Sequence, residues 1–247
     1  MGRLGVLGCQ ALSLAAVLLA WEVAVRTGLA DPLFVPTPAA VAGALGATLR
    51  DAWPRLGDTL LKALLGYALA VGLGVAGGLW VGSRRLAHAV AMPYVVAAYG
   101  VPKILVLPWI VLICGLGATT AVLTATLFAV FPILLMVAAG TRDVDPTLVT
   151  AAVAMGATRS QVSLKVLLPA VLPSVVAGMR VGVVFAMLGV LLAEMFAGTR
   201  GMGFLMQRMA MAFKAPDLFA ATAIVSVLSI VVVLSLEHLG RRLSRWR

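Results

Sequence analysis

TAAVAMGATRSQVSLKVLLPAVLP, residues 150–173, is the stretch that decides how this chain is read. It is too polar to cross a bilayer and too apolar to be a loose tail. Ahead of it lies the charged turn Gly140-Thr-Arg-Asp-Val-Asp-Pro146. Asp145 has the side chain of a helix N-cap, and Pro146 has the fixed φ that suits a first helical position. Leu148, Ala151, Ala152 and Met155 predict a short helix, with Gly156 placed to end it. A second leg carries Arg159, Gln161 and Lys165, and Pro169 and Pro173 punctuate its exit into the next apolar run. Residues 140–170 thus form a two-legged connector between apolar segments.

Those flanking segments set the class. Apolar residues make up 62% of the chain, charged residues 11%, and the mean hydropathy is +1.10. Soluble domains average about 45–50% apolar and about 25% charged, so this composition belongs to an integral membrane protein. At about 20 residues per span, 247 residues hold about six helices with their connections. The net charge of +10 is spread among loops, which topology explains better than nucleic-acid binding. Cys9 and Cys114 lie in apolar runs and support neither a disulfide framework nor a thiolate site; His88 and His238 are far apart.

The expected fold is an all-α membrane protein with spans at about 4–25, 59–81, 89–114, 119–139, 171–196 and 218–239. The first is too long for a signal core and lacks a clear cleavage site, so it is read as a retained helix. Residues 26–58 form a polar stretch with a weakly apolar surface helix, entered through Phe34-Val-Pro-Thr-Pro38. In the second span, Gly74, Gly78 and Gly82 give a smooth face for close helix packing. The third is broken by Pro93, Gly100, Pro102 and Pro108, a pattern tolerated at membrane depth only against protein or a watery cavity. Pro132 predicts a kink in the fourth span.

Lysines and arginines orient the chain. With the amino terminus inside, ten fall on that side: Arg3, Arg84, Arg85, Arg142, Arg159, Lys165 and four tail arginines. Six fall on the other: Arg26, Arg50, Arg55, Arg200, Arg208 and Lys214. Both termini and the 140–170 connector are then expected in the cytoplasm, leaving Lys62, Lys103 and Arg180 within the spans.

The connector resembles the signature loop of the permease subunits of bacterial ABC importers, whose form is Glu-Ala-Ala, three residues, Gly, nine residues, an aliphatic, one residue, Leu-Pro. The matching positions are Thr150, Ala151, Ala152, Gly156, Val166, Leu168 and Pro169, with Thr150 standing in place of the family glutamate. Phe34–Pro38, Gly100–Pro108, Gly115–Gly117 and Ala193–Ala197 are similar to the permease group that handles nitrate, sulfonates and taurine. The resemblance implies a type I importer permease of the bacterial inner membrane with a cytoplasmic coupling helix. It also implies ATPase subunits that dock on this loop and carry ATP and Mg²⁺, a second permease copy in a homodimer, and an extracytoplasmic solute-binding protein. The implied solute is a small anion, with a thiamine-precursor-like organic solute as the alternative.

The residues agree that energy must come from elsewhere. No Gly-Lys-Ser/Thr phosphate cradle occurs, and no nucleophile has a base beside it. No catalytic residue, metal site or cofactor is therefore expected in this chain. A secondary transporter would carry its coupling residues within the membrane, and the deep ionisable groups are few. Lys103 and Arg180 stand out among them as candidates to line a pathway for an anion. Backbone carbonyls freed at the breaks near Lys103 offer it a purely structural partner.

Overall fold

The computed structural model describes residues 3–243, all of whose regular elements are helical. The last tail arginines, Arg245 and Arg247, lie outside the described residues. The chain runs through α1 (Arg3–Arg26), α2 (Pro38–Ser83), α3 (Arg85–Gly100), a 3₁₀ turn (Lys103–Val106), α4 (Leu107–Cys114) and α5 (Ala118–Arg142). The connector follows as α6 (Pro146–Ala154), α7 (Arg159–Gln161), a π turn (Val162–Leu167) and α8 (Leu168–Ala170). Then come α9 (Leu172–Ala197), α10 (Met202–Met211) and α11 (Ala215–Leu243). Among the described residues, five helices are long and apolar enough to cross a membrane; α3 and α4, bent by 88° at their break, make a sixth span if taken as one.

The surface helix and second span expected from the sequence are one helix of 46 residues. Thr37 caps it by accepting from Ala40 N at 3.1 Å, and Pro38 fills the first helical position. Pro54 withdraws one N–H from the ladder, yet the helix continues. Arg50 and Asp51 remain exposed while Thr48, Ala52 and Thr59 are buried, and Thr48 hydrogen-bonds to Asp217 at 3.2 Å.

The core is α2, α5 and α9, with α11 laid against it. Without a hydrophobic drive between apolar helices in lipid, close approach of small residues supplies the packing. Here α2 and α5 run parallel. A Cβ on Gly66 would meet Ala125, one on Gly74 Ile133, one on Gly78 Val137 and one on Gly82 Thr141, all at 2.6–2.8 Å. Helix α9 runs antiparallel, with Gly189 against Ala125 and Gly178 against Ile133. Ile133, fully buried, therefore fills a slot made by Gly74, Gly178 and Gly182. The carboxyl ends of α2 and α5 and the amino end of α9 thus share one end of the bundle with the connector, here termed the loop end. The opposite, far end holds the α9–α10 loop, and Gly117 N donates to the Ala197 carbonyl there at 3.0 Å. Helix α1 stands apart, largely exposed, touching the rest through Trp21 on Phe219 and through Glu22, which accepts from Ala39 N.

Candidate functional site

The signature loop is built by local rules. The Asp145 carboxylate accepts from Thr147 N at 2.9 Å, which caps α6 and holds its pKa below the usual carboxylate range. Gly156 has φ 82°, a left-handed turn that frees the chain to double back after α6. Thr158 and Gln161 then form a reciprocal capping box that starts the second leg. Pro169 has no N–H for the Lys165 carbonyl, and the π turn lies just ahead of it. Of the matched residues, Ala152 is buried with Val162 and Leu167, against which Val166 packs. Thr150 and Ala151 are exposed, and the Thr150 hydroxyl donates to the Pro146 carbonyl. Leu148, Val153 and Met155 are also exposed, at 50%, 57% and 82%.

Lys103 sits in the 3₁₀ turn at the break between α3 and α4. In an unbroken helix the Tyr99 carbonyl would accept from the Lys103 N–H. Here the Lys103 ammonium takes that place at 3.0 Å, over the Tyr99 ring at 4.4 Å from its centroid and 5.5 Å from that of Phe131. Arg180 is exposed on α9, two residues from both Gly178 and Gly182, which face Ile133. Lys103 and Arg180 thus share a level of the bundle, but Phe131 and Ile133 lie about 200° apart around α5. The structure does not bring the two charges together.

It does bring together a set that sequence reasoning missed. At the far end, the Glu194 carboxylate is fully buried. It accepts from Thr59 Oγ1 at 2.8 Å, from Lys62 Nζ at 2.9 Å and from Gly203 N at 3.0 Å. Lys62 spends its remaining protons on Asp58 Oδ2 at 2.6 Å and on the Arg200 carbonyl at 3.3 Å. Thr59 Oγ1 in turn accepts from Met202 N at 2.8 Å. Arg200 Nε stands 3.8 Å from Asp58 Oδ1, so two cations and two anions balance. The loop wraps the carboxylate closely: Gly201 has φ 112°, and a Cβ there would lie 2.1 Å from Glu194 Oε1. Buried charge survives only when paired and hydrogen-bonded, and this set meets both demands. One signal pointed to it. Lys62 is the single charged residue of 59–81 and Glu194 the single acid of 172–197, so each needed a partner from another helix.

Compared with solved structures, the fold is similar to a chain of the MetNI methionine ABC transporter in an inward-facing conformation. The TM-score is 0.60 at 24% identity, covering 80% of this chain and 95% of that one. The architecture is therefore that of a type I ABC importer permease. By sequence, the chain belongs to the family of binding-protein-dependent transport system inner membrane components, matched over residues 70–245. It is 31% identical to the taurine transport system permease protein TauC of Escherichia coli (strain K12), over 95% of this chain and 88% of that protein. It is 30% identical to the riboflavin transport system permease protein RibX of Chloroflexus aurantiacus, again over 95% and 88%. The chain is thus a multi-pass inner-membrane subunit of an ATP-driven transporter, with ATP hydrolysis on a separate subunit.

Proposed function

We propose that this chain, as one of two identical copies, lines the translocation pathway of an importer for a small anionic solute such as a sulfonate. Both termini and the signature loop face the cytoplasm, and an extracytoplasmic solute-binding protein delivers solute to the far end. Two ATPase subunits bind ATP and Mg²⁺, and each receives α6 in a surface cleft. Their closure tilts the helices from inward-open to outward-open.

The observation that carries this reading is the outer surface of α6. Leu148 and Met155 leave apolar area exposed on α6 and at its end, outside the spans and beside the left-handed turn at Gly156. Apolar surface in that position calls for a protein cover. A solute carrying a sulfonate is supported by the likeness to the taurine permease and to an aliphatic sulfonates permease, and its negative end by two cations, Lys103 and Arg180, at mid-bundle. The likeness to the riboflavin permease favours a second reading, a larger organic solute on the same machinery.

The test is uptake into proteoliposomes carrying permease, ATPase and binding protein, with taurine and riboflavin as alternative solutes. ATP-dependent uptake that disappears on omitting the ATPase supports the reading. Uptake that persists without the ATPase, driven by an ion gradient, overturns it.

A further inference from the structure

We propose that the cleft between the loop end of α2 and the signature loop binds the headgroup of an acidic phospholipid. The cleft has a volume of about 990 Å³ and is open on one side. Arg84, Arg85, Arg142 and Arg159 line it, and no carboxylate does. Among the described residues, none of these four guanidinium groups makes a hydrogen bond or an ion pair. Four like charges around one space repel one another, and a phosphate relieves the repulsion while matching the guanidinium fork.

The lining also changes character along α2. Ala76, Leu79 and Trp80 come first, inside the apolar run, and Arg84 and Arg85 follow at its end. Across the space, Leu164 is 59% exposed, and Trp80 is 50% exposed. A free phosphate would satisfy the arginines and leave Trp80 and Leu164 bare. An amphiphile with an anionic head and acyl chains covers both, in the orientation that a bilayer imposes. Such a headgroup bridges the α2–α3 turn, through Arg84 and Arg85, to the second leg of the signature loop, through Arg159. This inference rests on the bundle spanning a bilayer and not on transport, so its failure leaves the transport reading standing.

The test uses the full chain in phosphatidylcholine nanodiscs, with Trp21, Trp53, Trp109 and Trp246 changed to Phe so that Trp80 alone fluoresces. Phosphatidylglycerol brominated on its acyl chains should quench Trp80 more than brominated phosphatidylcholine at equal mole fraction. Arg84→Gln with Arg159→Gln should remove the excess, each lost arginine weakening the preference about fivefold. Equal quenching by the two lipids, or an excess that survives the double change, overturns the proposal. Inorganic phosphate that abolishes the excess assigns the site to a soluble anion and overturns the lipid assignment. Native mass spectrometry of the unaltered tryptophan set gives an independent measure. The double variant should retain fewer phosphatidylglycerol molecules than the parent, and equal retention counts against the site.

Discussion

The Lys62 ammonium and the Glu194 carboxylate, 132 residues apart in the chain, meet at 2.9 Å with at most 6% of either side chain exposed. Neither has water to fall back on, so each is held by the other and by the loop between α9 and α10. The pair fixes the far end of α2 to α9 and, through Gly203 N and the Arg200 carbonyl, shapes the loop that begins α10.

Removing one partner leaves the other charged and buried. Glu194→Gln or Lys62→Met should each destabilise the protein by about 3–5 kcal/mol, while the double change Lys62→Met with Glu194→Met should cost much less. Thermal unfolding in detergent measures all three, and additive losses in the double variant would contradict the pairing. Gly201→Ala should fall with the single variants, because its Cβ displaces the carboxylate.

Gly156 offers a cleaner separation of backbone from contact. Nothing lies within 4 Å of a Cβ built there, so only its φ of 82° resists substitution. Gly156→Val should cost about 1–3 kcal/mol of local strain, distort α6 and abolish uptake while the permease still inserts. Gly156→Asn should keep much of the activity, since asparagine tolerates left-handed backbone. Co-purification of the ATPase with each variant reads the docking step directly; uptake by the valine variant equal to the parent's would count against the loop's role.

The cap at Asp145 carries a pH dependence with a definite sign. Its carboxyl is held below the usual carboxylate range by the bond from Thr147, so the charged form stabilises the loop. That contribution is complete above the unfolded value and is lost only as pH falls through the lowered one. Hydrogen exchange in α6 should therefore show no change traceable to this group between about pH 5 and 8, and Asp145→Asn, a comparable cap, should be mild where Asp145→Ala is not.

Lys103 and Arg180 should part company on mutation. Lys103 is packed at the break by the Tyr99 carbonyl and two rings, and Arg180 stands exposed on α9 beside the core glycines. Arg180→Gln should lower the uptake of an anionic solute while leaving ATPase binding intact, and Lys103→Gln should do so more mildly. Unchanged uptake in the double variant would remove both from the pathway.

Accessibility labelling checks the orientation. In a background lacking Cys9 and Cys114, Met155→Cys should react only from the cytoplasmic side and Ala210→Cys from the outside. External labelling at Met155, which is 82% exposed, would place the signature loop away from any ATPase.

What was readable in the sequence was local. Asp145, Pro146 and Gly156 act within a few residues, so the loop's two legs could be written from the chain alone, although the Thr158–Gln161 box that starts the second went unread. The break around Lys103 was visible in its prolines, although its 88° angle was not. Helix α2 was read in two pieces because Pro54 and the charges around it look like a boundary. A helix carries such residues when the charges point outward and Thr48, Ala52 and Thr59 pack inward. The Lys62–Glu194 pair stayed hidden for a different reason: each charge was weighed along its own helix, and their meeting depends on how α2 lies against α9.

The seam between α2 and α5 is periodic, and a periodic seam has no single resting place. Gly74, Gly78 and Gly82 follow one another every four residues, as do their partners Ile133, Val137 and Thr141. Slid by one turn, about 6 Å at 1.5 Å per residue, the two surfaces would again set small residues against their neighbours. The stripe therefore chooses distance and parallel direction but not registration. Registration must be set by contacts that do not repeat. One is the Thr126 hydroxyl, which donates to the Gly66 carbonyl at 3.1 Å. Others are the Tyr67 hydroxyl of α2, which donates to the Met179 carbonyl of α9 at 3.1 Å, and the far-end ties of α2 to α9 and of α9 to the start of α5. A seam built this way keeps its grip during axial movement, while its stops can be engaged or released at the ends.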